Sequence, residues 1–389
     1  MADNYLIQVH DDPGAIDVPE WNQLLAAQTH PTPFMRLEYF QALHESGSAV
    51  PGSGWSPFFV TIRQAGRLVA ACPAYLKSHS YGEYVFDWAW ADAYQRHGLN
   101  YYPKLLCAVP FTPVPGTRLL CRDVKSRQTL VSALQSFARS SEGLSSAHVL
   151  FHSSTDAPAF AEDRWQARQS VQFHWRNREP APYCDFADFL AGLHREKRKK
   201  IGQERRKVAD AGVTFKSVAG RDIDTQTWDF FYTCYVQTYL AHHSTPYLTR
   251  GFFACMAASM PQHWVMFIAS RSGKPIGASL VAVDHGSGLA WGRYWGCLEY
   301  VPCMHFEACY YQPLQWCIEN RLQRFEGGAQ GEHKMARGLL PVLAHSQHWL
   351  ADTRFANAVA DFLSREGQGI ESYVNELTDR NPFKSEVLL

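Results

Sequence analysis

The chain has 389 residues, 46% hydrophobic and 14% aromatic, and its 37 basic and 37 acidic side chains leave a formal net charge of zero. This composition excludes a disordered chain, and the balanced charge excludes a global attraction to nucleic acid or membrane, so any such partner must be held by a local patch. The length exceeds one ordinary core and fits two domains of about 150 to 200 residues each.

The opening residues, MADNYLIQVHDDPG, have no basic segment ahead of an apolar core, so no secretory signal is expected. No apolar run reaches the roughly 18 to 20 residues needed to span a bilayer. Ten cysteines without a Cys-x-x-Cys pair read as buried or free thiols, which places the protein in a reducing cytoplasm. Further along, the breakers Pro31 and Pro33 give way to FMRLEYFQALHES, which predicts an amphipathic helix from about Pro33. SPFFVTIR and RLVAACPAYLK flank a turn at Gln64 to Gly66 and predict a hairpin. GEYVFDWAW and PKLLCAVPF read as further strands separated by a polar loop around Asp92 to Tyr102. TLVSALQSFARSS has helical apolar spacing, and AHVLFHSS reads as a short buried strand.

The second half repeats this order. PYLTRGFFACMAASMP mirrors PFMRLEYFQALHESG, and VMFIASRSGKPIGASLVAVD mirrors FFVTIRQAGRLVAACPAYLK with Gly273 in the place of Gly66. GLAWGRYWG then follows as GEYVFDWAW did, so two copies of one α/β unit are expected, with coincidence of common hairpins as the competing reading. The predicted organisation is an N-terminal domain over 1–192, a helical connector over 193–213 and a C-terminal domain over 214–389. In the connector, eight of the thirteen residues from Arg195 to Lys207 are basic, and Gly212 suits a C-cap. One reading is a solvated helix stabilised by Glu196 and Glu204. The other is a phosphate-tracking helix that presents Lys199, Lys200, Arg205 and Arg206 to a lipid pyrophosphate, a nucleotide or a tRNA backbone.

The chemistry concentrates near the C-terminus. A strand from Gly288 to Gly296 leads through a turn at Pro302 into a helix from about Cys303 to Leu322, then a short strand at Arg324 to Glu326 and the run FEGGAQGEHKMARGLLP. Ligands collect at the carboxyl ends of such strands and at helix N-termini. His305, Glu307, Glu332 and His333 are therefore expected to share one cleft, where a tuned carboxylate or imidazole removes the proton of an attacking amine. Arg293 is an anion-holding fork beside Tyr294, while Tyr310, Gln330 and Lys334 are candidate substrate contacts. Each has a plain packing alternative: His305 as a helix cap, Glu307 paired with an arginine, Tyr310 and Tyr311 in the core. No metal is expected, since Cys297, Cys303 and Cys309 recur every six residues on different helix faces and no His-Glu-x-x-His occurs.

KSHSYGEYVFDWAWADAY, YYPKLLCAVPFTPVPGTRLL, QFHWRN, WGRYWG, HFEACYYQ and FEGGAQGEHKMARGLLP together resemble the FemAB-like group of N-acyltransferases, over nearly the whole chain from about Trp21. REKRKKIGQERRKVADAGV, followed by a GNAT-like domain, more distantly resembles the Fem transferases that build peptidoglycan cross-bridges. The resemblance implies a mixed α/β fold of tandem GNAT-like domains. It also implies acyl or aminoacyl transfer to a small-molecule or peptidoglycan-precursor amine, with acyl-CoA or aminoacyl-tRNA as co-substrate and no covalently bound cofactor. DNA is not an implied partner. RFEGGA, Arg324 to Ala329, has the letters of a CoA pyrophosphate loop but follows its helix, whereas RYWGCL has the position and half the letters, which favours a charged-tRNA donor. The rival class is a non-catalytic module of the same fold that binds a cell-wall fragment, with Trp88, Trp90, Trp291 and Trp295 as its aromatic surface.

Overall fold

Two turns with matching backbones, Ala65–Gly66 and Ser272–Gly273, mark equivalent points of a duplicated architecture. Their φ angles are +51° and +80° in the first and +51° and +77° in the second. Positive φ at both central residues gives the two-residue hairpin whose twist suits antiparallel strands, and the glycine takes that conformation without strain.

The computed structural model describes residues 4–162, 164–328 and 331–384. Contacts divide the chain into one unit of 1–170 with 343–372 and another of 171–342 with 373–389. The first contains β1 (Tyr5–His10), α1 (Val18–Ala26), α2 (Leu37–Glu45), β2 (Trp55–Pro57), β3 (Phe59–Gln64), β4 (Arg67–Cys72), β5 (Ala74–Lys77), α3 (Trp88–Arg96), β6 (Lys104–Cys107), β7 (Leu120–Cys121), α4 (Val124–Ser140) and β8 (Ser146–His152). After β9 (Gln166–Arg176), the second contains α5 (Phe186–Gly192), α6 (Arg195–Asp210), β10 (Val213–Ala219), α7 (Thr225–Ala241), α8 (Arg250–Ser259), β11 (Trp264–Arg271), β12 (Lys274–Asp284) and β13 (Leu289–Cys297). There follow α9 (Met304–Phe306), a π turn (Glu307–Tyr311), α10 (Gln312–Glu319), β14 (Arg324–Glu326), a 3-10 turn (Glu332–Arg337), β15 (Leu340–Leu350) and α11 (Thr353–Asp379).

The predicted repeat is visible as order and pairing. The series β1, α1, α2, β3, β4 matches β10, α7, α8, β11, β12, and the first strand pairs antiparallel with the first hairpin strand in both series. Each copy also has one short parallel pair: β6 with β8 from Leu105↔Ala147 to Cys107↔Val149, and β13 with β14 from Leu289↔Arg324 to Trp291↔Glu326. The expected boundaries at 192 and 213 do not coincide with the units. α6 lies inside the second unit, because Ile201, Glu204 and Val208, spaced three and four apart, turn inward on one helical stripe. Gly212 does end that helix region, with φ of +73°.

A second expectation fails in the first unit. GEYVFDWAW does not form a strand: residues 82–87 are irregular and Trp88–Arg96 is helical. The cause is a buried lysine. Lys104, at the start of β6, has no exposed surface, donates to Ser80 Oγ at 2.8 Å and Glu83 Oε2 at 2.8 Å, and is also bonded to Asp87 Oδ2. Positions 80, 83 and 87 lie three and four apart, a spacing that an alternating strand cannot bring to one point. Asp87 therefore serves as the N-cap residue of α3 without capping it, its carboxylate accepting from Tyr101 Oη at 2.7 Å and from Lys104 instead. The network continues through His148, whose Nε2 lies 2.8 Å from Ser146 Oγ and whose Nδ1 lies 2.8 Å from His348 Nδ1. Burial pushes His148 down to about 3, so the two imidazoles face each other uncharged.

Removing Lys104 would strand two buried carboxylates, which is more costly than the pairing is favourable. Lys104→Met should lower the unfolding free energy by about 3–5 kcal/mol in a urea titration, and adding Asp87→Asn should recover part of it. A loss below about 1 kcal/mol would show that the carboxylates are satisfied by other groups.

Candidate active site

The second unit opens where β13 and β14 part. Their ladder ends at Trp291↔Glu326, and the ladder from β12 to β13 shifts register at the same level, with Leu280 opposite Tyr294 and Val281 opposite Gly292. Arg293 is thus the extra residue of a bulge, the usual device for turning a strand away beside a site. Its guanidinium stands 5.1 Å from the Tyr294 ring, so both sequence-predicted contacts lie at the opening.

Two elements converge on it. The helix from Met304 is interrupted by the π turn Glu307–Tyr311, a wider turn that is common at functional sites. It brings Tyr310 Oη to 3.2 Å from His333 Nε2 and directs Tyr311 Oη to Glu204 Oε2. His305, one turn earlier, packs edge-on against Tyr310 at 5.8 Å and against Trp295 at 5.7 Å. The 3-10 turn that carries His333 is fastened by Arg337, which is nearly inaccessible to solvent. Its Nη1 donates to the His333 carbonyl at 2.6 Å, its Nη2 pairs with Glu204 at 2.8 Å, and its guanidinium lies 3.6 Å from the Phe306 ring centroid.

The glycines of the run have separate tasks. A Cβ on Gly327 would stand 2.4 Å from Leu339 Cδ2, so any side chain there would have to displace that buried leucine. Gly328, at φ +90°, turns its carbonyl to accept from Lys334 Nζ at 2.9 Å.

The charges are tuned toward neutrality. His305 is exposed to solvent by surface area, yet the flanking Trp295, Phe306 and Tyr310 rings desolvate its imidazole, and this, then His333, Arg337 and Lys334, lowers its pKa. Desolvation, then Arg337 and Lys334, lowers His333 as well. Burial brings the Lys334 amine down to about 8 and raises the Tyr310 phenol well above its ordinary range. At neutral pH the cluster therefore offers two uncharged imidazoles, a protonated phenol and a readily deprotonated lysine.

Of the four residues expected to share the cleft, His305 and His333 come together, joined by the candidate contacts Tyr310 and Lys334. Glu332 is not among them: it is exposed, accepts from Tyr373 Oη at 2.9 Å and pairs with Arg380 at 3.2 Å. The correction has a simple cause, since consecutive residues of a tight turn point in different directions and the arginine near the end of the fold captures the outward one. Glu307 is also removed from the cluster, because the turn directs it to Arg205 at 3.0 Å and Gln312 Nε2 at 2.7 Å. The same pair takes Arg205 out of the phosphate-binding set; it stacks on Phe186 at 4.9 Å. Lys199, Lys200 and Arg206 remain exposed on α6, and Gln330 lies outside the described residues.

Sequence reasoning missed Glu204, Arg337 and the buried pair of His174 and Glu326. The signal for Glu204 was its place on the stripe Ile201, Glu204, Val208, where a carboxylate needs a distant cation. His174 faces Glu326 across β9 and β14 at 3.8 Å, and burial pushes it down to about 3, so that contact is polar and not ionic. No comparable signal marked Arg337, whose carboxylate partner Glu204 lies 133 residues away.

A family model described as FemAB-like, peptidoglycan biosynthesis/recognition, matches residues 13–385. Among solved structures, the chain is similar to FemX, with 8% identity and a TM-score of 0.53 over 89% of this chain and 98% of that one. It is similar to the C-terminal DUF2156 domain of an Agrobacterium fabrum protein described as a lysylphosphatidylglycerol synthetase, with 12% identity and a TM-score of 0.51 over 88% and 95% of the two chains. A conserved protein of unknown function from Bacteroides thetaiotaomicron VPI-5482 gives 10% identity and a TM-score of 0.53 over 89% and 100%. At these identities the likeness is one of fold. No curated protein matches the chain. Among the described residues, no helix is long and apolar enough to cross a membrane.

Two substitutions separate the cluster from its surface neighbours. Arg337→Gln removes a positive charge that depresses His333, so the imidazole pKa should rise toward about 6.5 in an NMR titration. Glu332→Gln should leave that titration unchanged and alter stability by less than about 1 kcal/mol.

Proposed function

Because the chain belongs to the FemAB-like family of peptidoglycan biosynthesis/recognition proteins, we propose that it is an N-acyltransferase. It moves an acyl or aminoacyl group from a CoA thioester or a charged tRNA onto an amine acceptor, in cell-wall metabolism. The observation that carries this reading is the 3.2 Å contact between a neutral imidazole, His333, and a phenol held protonated, Tyr310, beside the parting strands β13 and β14.

The chemistry follows from those two groups. The acceptor amine attacks the donor carbonyl carbon, forming the C–N bond, and His333 receives the proton that the amine gives up. Tyr310 delivers its proton to the departing sulfur or oxygen as the donor C–S or C–O bond breaks, and regains one from His333 across their contact. His305 keeps the wall of the cluster uncharged, so the proton passes between groups of matched charge. No enzyme side chain forms a bond to the acyl group; holding donor and amine together supplies most of the rate.

Support for a polyanionic donor comes from α6. Lys199, Lys200 and Arg206 are exposed on the helix that also supplies Glu204 to the cluster, and the Lys200 charge is felt at His333. Phosphates tracked along that helix would bring the acyl ester to the imidazole, which favours charged tRNA over CoA.

Turnover should fall by at least about a hundredfold in His333→Ala and in Tyr310→Phe, with melting temperatures close to the parent's. The base must be neutral, and its pKa lies below the ordinary imidazole value. Rate should therefore be flat above pH ~6.5 and decline only as the pH falls further. Charged tRNA should raise the melting temperature, and neutralising Lys199, Lys200 and Arg206 should abolish the rise. Stabilisation by acetyl-CoA alone, insensitive to those three residues, would make the donor a CoA thioester. Stabilisation by a cell-wall fragment without product from any donor would move the protein to the binding-module class.

A further inference from the structure

The first unit carries a groove that the transfer chemistry does not use. It lies along α3 and the segment before β6, has a volume of 630 Å³, and is lined by Trp88, Asp92, Gln95, Asn100, Tyr101 and Tyr102 among others. That volume falls in the usual range of small-molecule sites, about 300–1,000 Å³.

Its floor is locked from behind. Tyr101 Oη donates to Asp87 at 2.7 Å, and Tyr102 Oη lies 2.8 Å from the Ser80 hydroxyl, which itself accepts from Lys104. Lys104 holds Ser80, Glu83 and Asp87 inward, while Tyr81, Phe86 and the adjoining Trp88 face outward. Tyr81 and Phe86 are each 57% exposed and Trp88 is 41% exposed. The Tyr81 ring stands edge-on to Trp88 at 5.0 Å, fixing the indole at the lip of the groove. A buried ion-pair cluster that ends in solvent-facing aromatics is a preorganised platform, since the cost of ordering these rings is met before a ligand arrives.

The lining chemistry selects the ligand. Asp92 is the only charged residue among the described lining residues, and no lysine or arginine is present, so phosphates, carboxylates and anionic lipid headgroups are disfavoured. Asp92, Gln95 and Asn100 are exposed and present hydroxyl- and amide-matching acceptors and donors beside flat aromatic faces. A ligand that suits all of them is a ring with one apolar face and a rim of neutral hydroxyl or acetamido groups. We infer that this groove binds a neutral saccharide, with a sugar ring stacked on Trp88 and its polar rim bonded to Asp92, Gln95 and Asn100.

The site stands apart from the proposed transfer reaction, so either can fail alone. Isothermal titration of the full chain with chitotetraose, a neutral oligosaccharide bearing acetamido groups, should give saturable binding in the micromolar to millimolar range. Trp88→Ala should weaken it about tenfold. Gln95→Ala should weaken it less, and both variants should keep the parent melting temperature, because both positions are exposed. Cellotetraose tests whether hydroxyls suffice: any binding it shows must share the Trp88 dependence. Three results overturn the inference: no heat from either oligosaccharide, saccharide binding that survives Trp88→Ala, or Trp88-dependent binding to phosphatidylglycerol vesicles in place of the sugars.

Discussion

The ion pair between Arg337 and Glu204 fixes the second unit's chemistry. It joins α6 to the glycine-terminated 3-10 turn; the Glu204 carboxylate also accepts from Tyr311 of the π turn, while the guanidinium holds the His333 carbonyl and covers Phe306. A buried pair of this kind offers little net stability, because desolvation offsets attraction, yet breaking it leaves a stranded charge. Its effect is to admit only one relative placement of the three elements. The 3.2 Å approach of His333 to Tyr310 accompanies that placement.

The two units use one ladder scheme for different ends. Each has a three-residue parallel pair flanked by antiparallel neighbours. In the second unit, the strands part into an opening bordered by neutral imidazoles and a phenol. In the first, the neighbouring space is filled by Lys104, Asp87, Glu83 and the His148–His348 pair, all buried. The two units thus share backbone order and differ in side chains, an opening in one and a plug in the other, as expected if function resides in sites grafted onto a shared fold. The plug has its own output, the display of Tyr81, Phe86 and Trp88.

Much of this was legible in the residues. The hairpin turns at Gly66 and Gly273, the strand at Arg324–Glu326, the basic helix and its Gly212 terminus all rest on local conformational preferences that tertiary structure did not overrule. Of the four residues expected in one cleft, only His305 and His333 meet there, because strand, helix and strand in sequence bring both ends to one place; Tyr310 and Lys334 read from the sequence as separate substrate contacts. Errors arose where a distant charge decided the outcome. Lys104 drew Ser80, Glu83 and Asp87 out of a strand pattern, Arg380 drew Glu332 to the surface, and Arg205 drew Glu307 away from His305. Ion pairs between residues 17 to 102 positions apart leave no periodicity to read. Glu204 was missed for another reason: its carboxylate sits on an apolar stripe that requires a partner, but in the sequence it reads as part of a solvated face.

The interleaving of the units has a consequence for synthesis on the ribosome. The first unit draws on 343–372: His348 meets His148, and Leu350, Phe355, Val359 and Leu363 pack with Trp90, Tyr94 and Tyr101. The nascent first unit thus waits, with those apolar surfaces uncovered, until nearly the entire second unit has been translated. At roughly 5–20 residues per second the delay is on the order of tens of seconds, long enough for a chaperone to hold it. The order of emergence from the exit tunnel is therefore not the order of completion: the first unit closes only once residues 343–372 have followed most of the second.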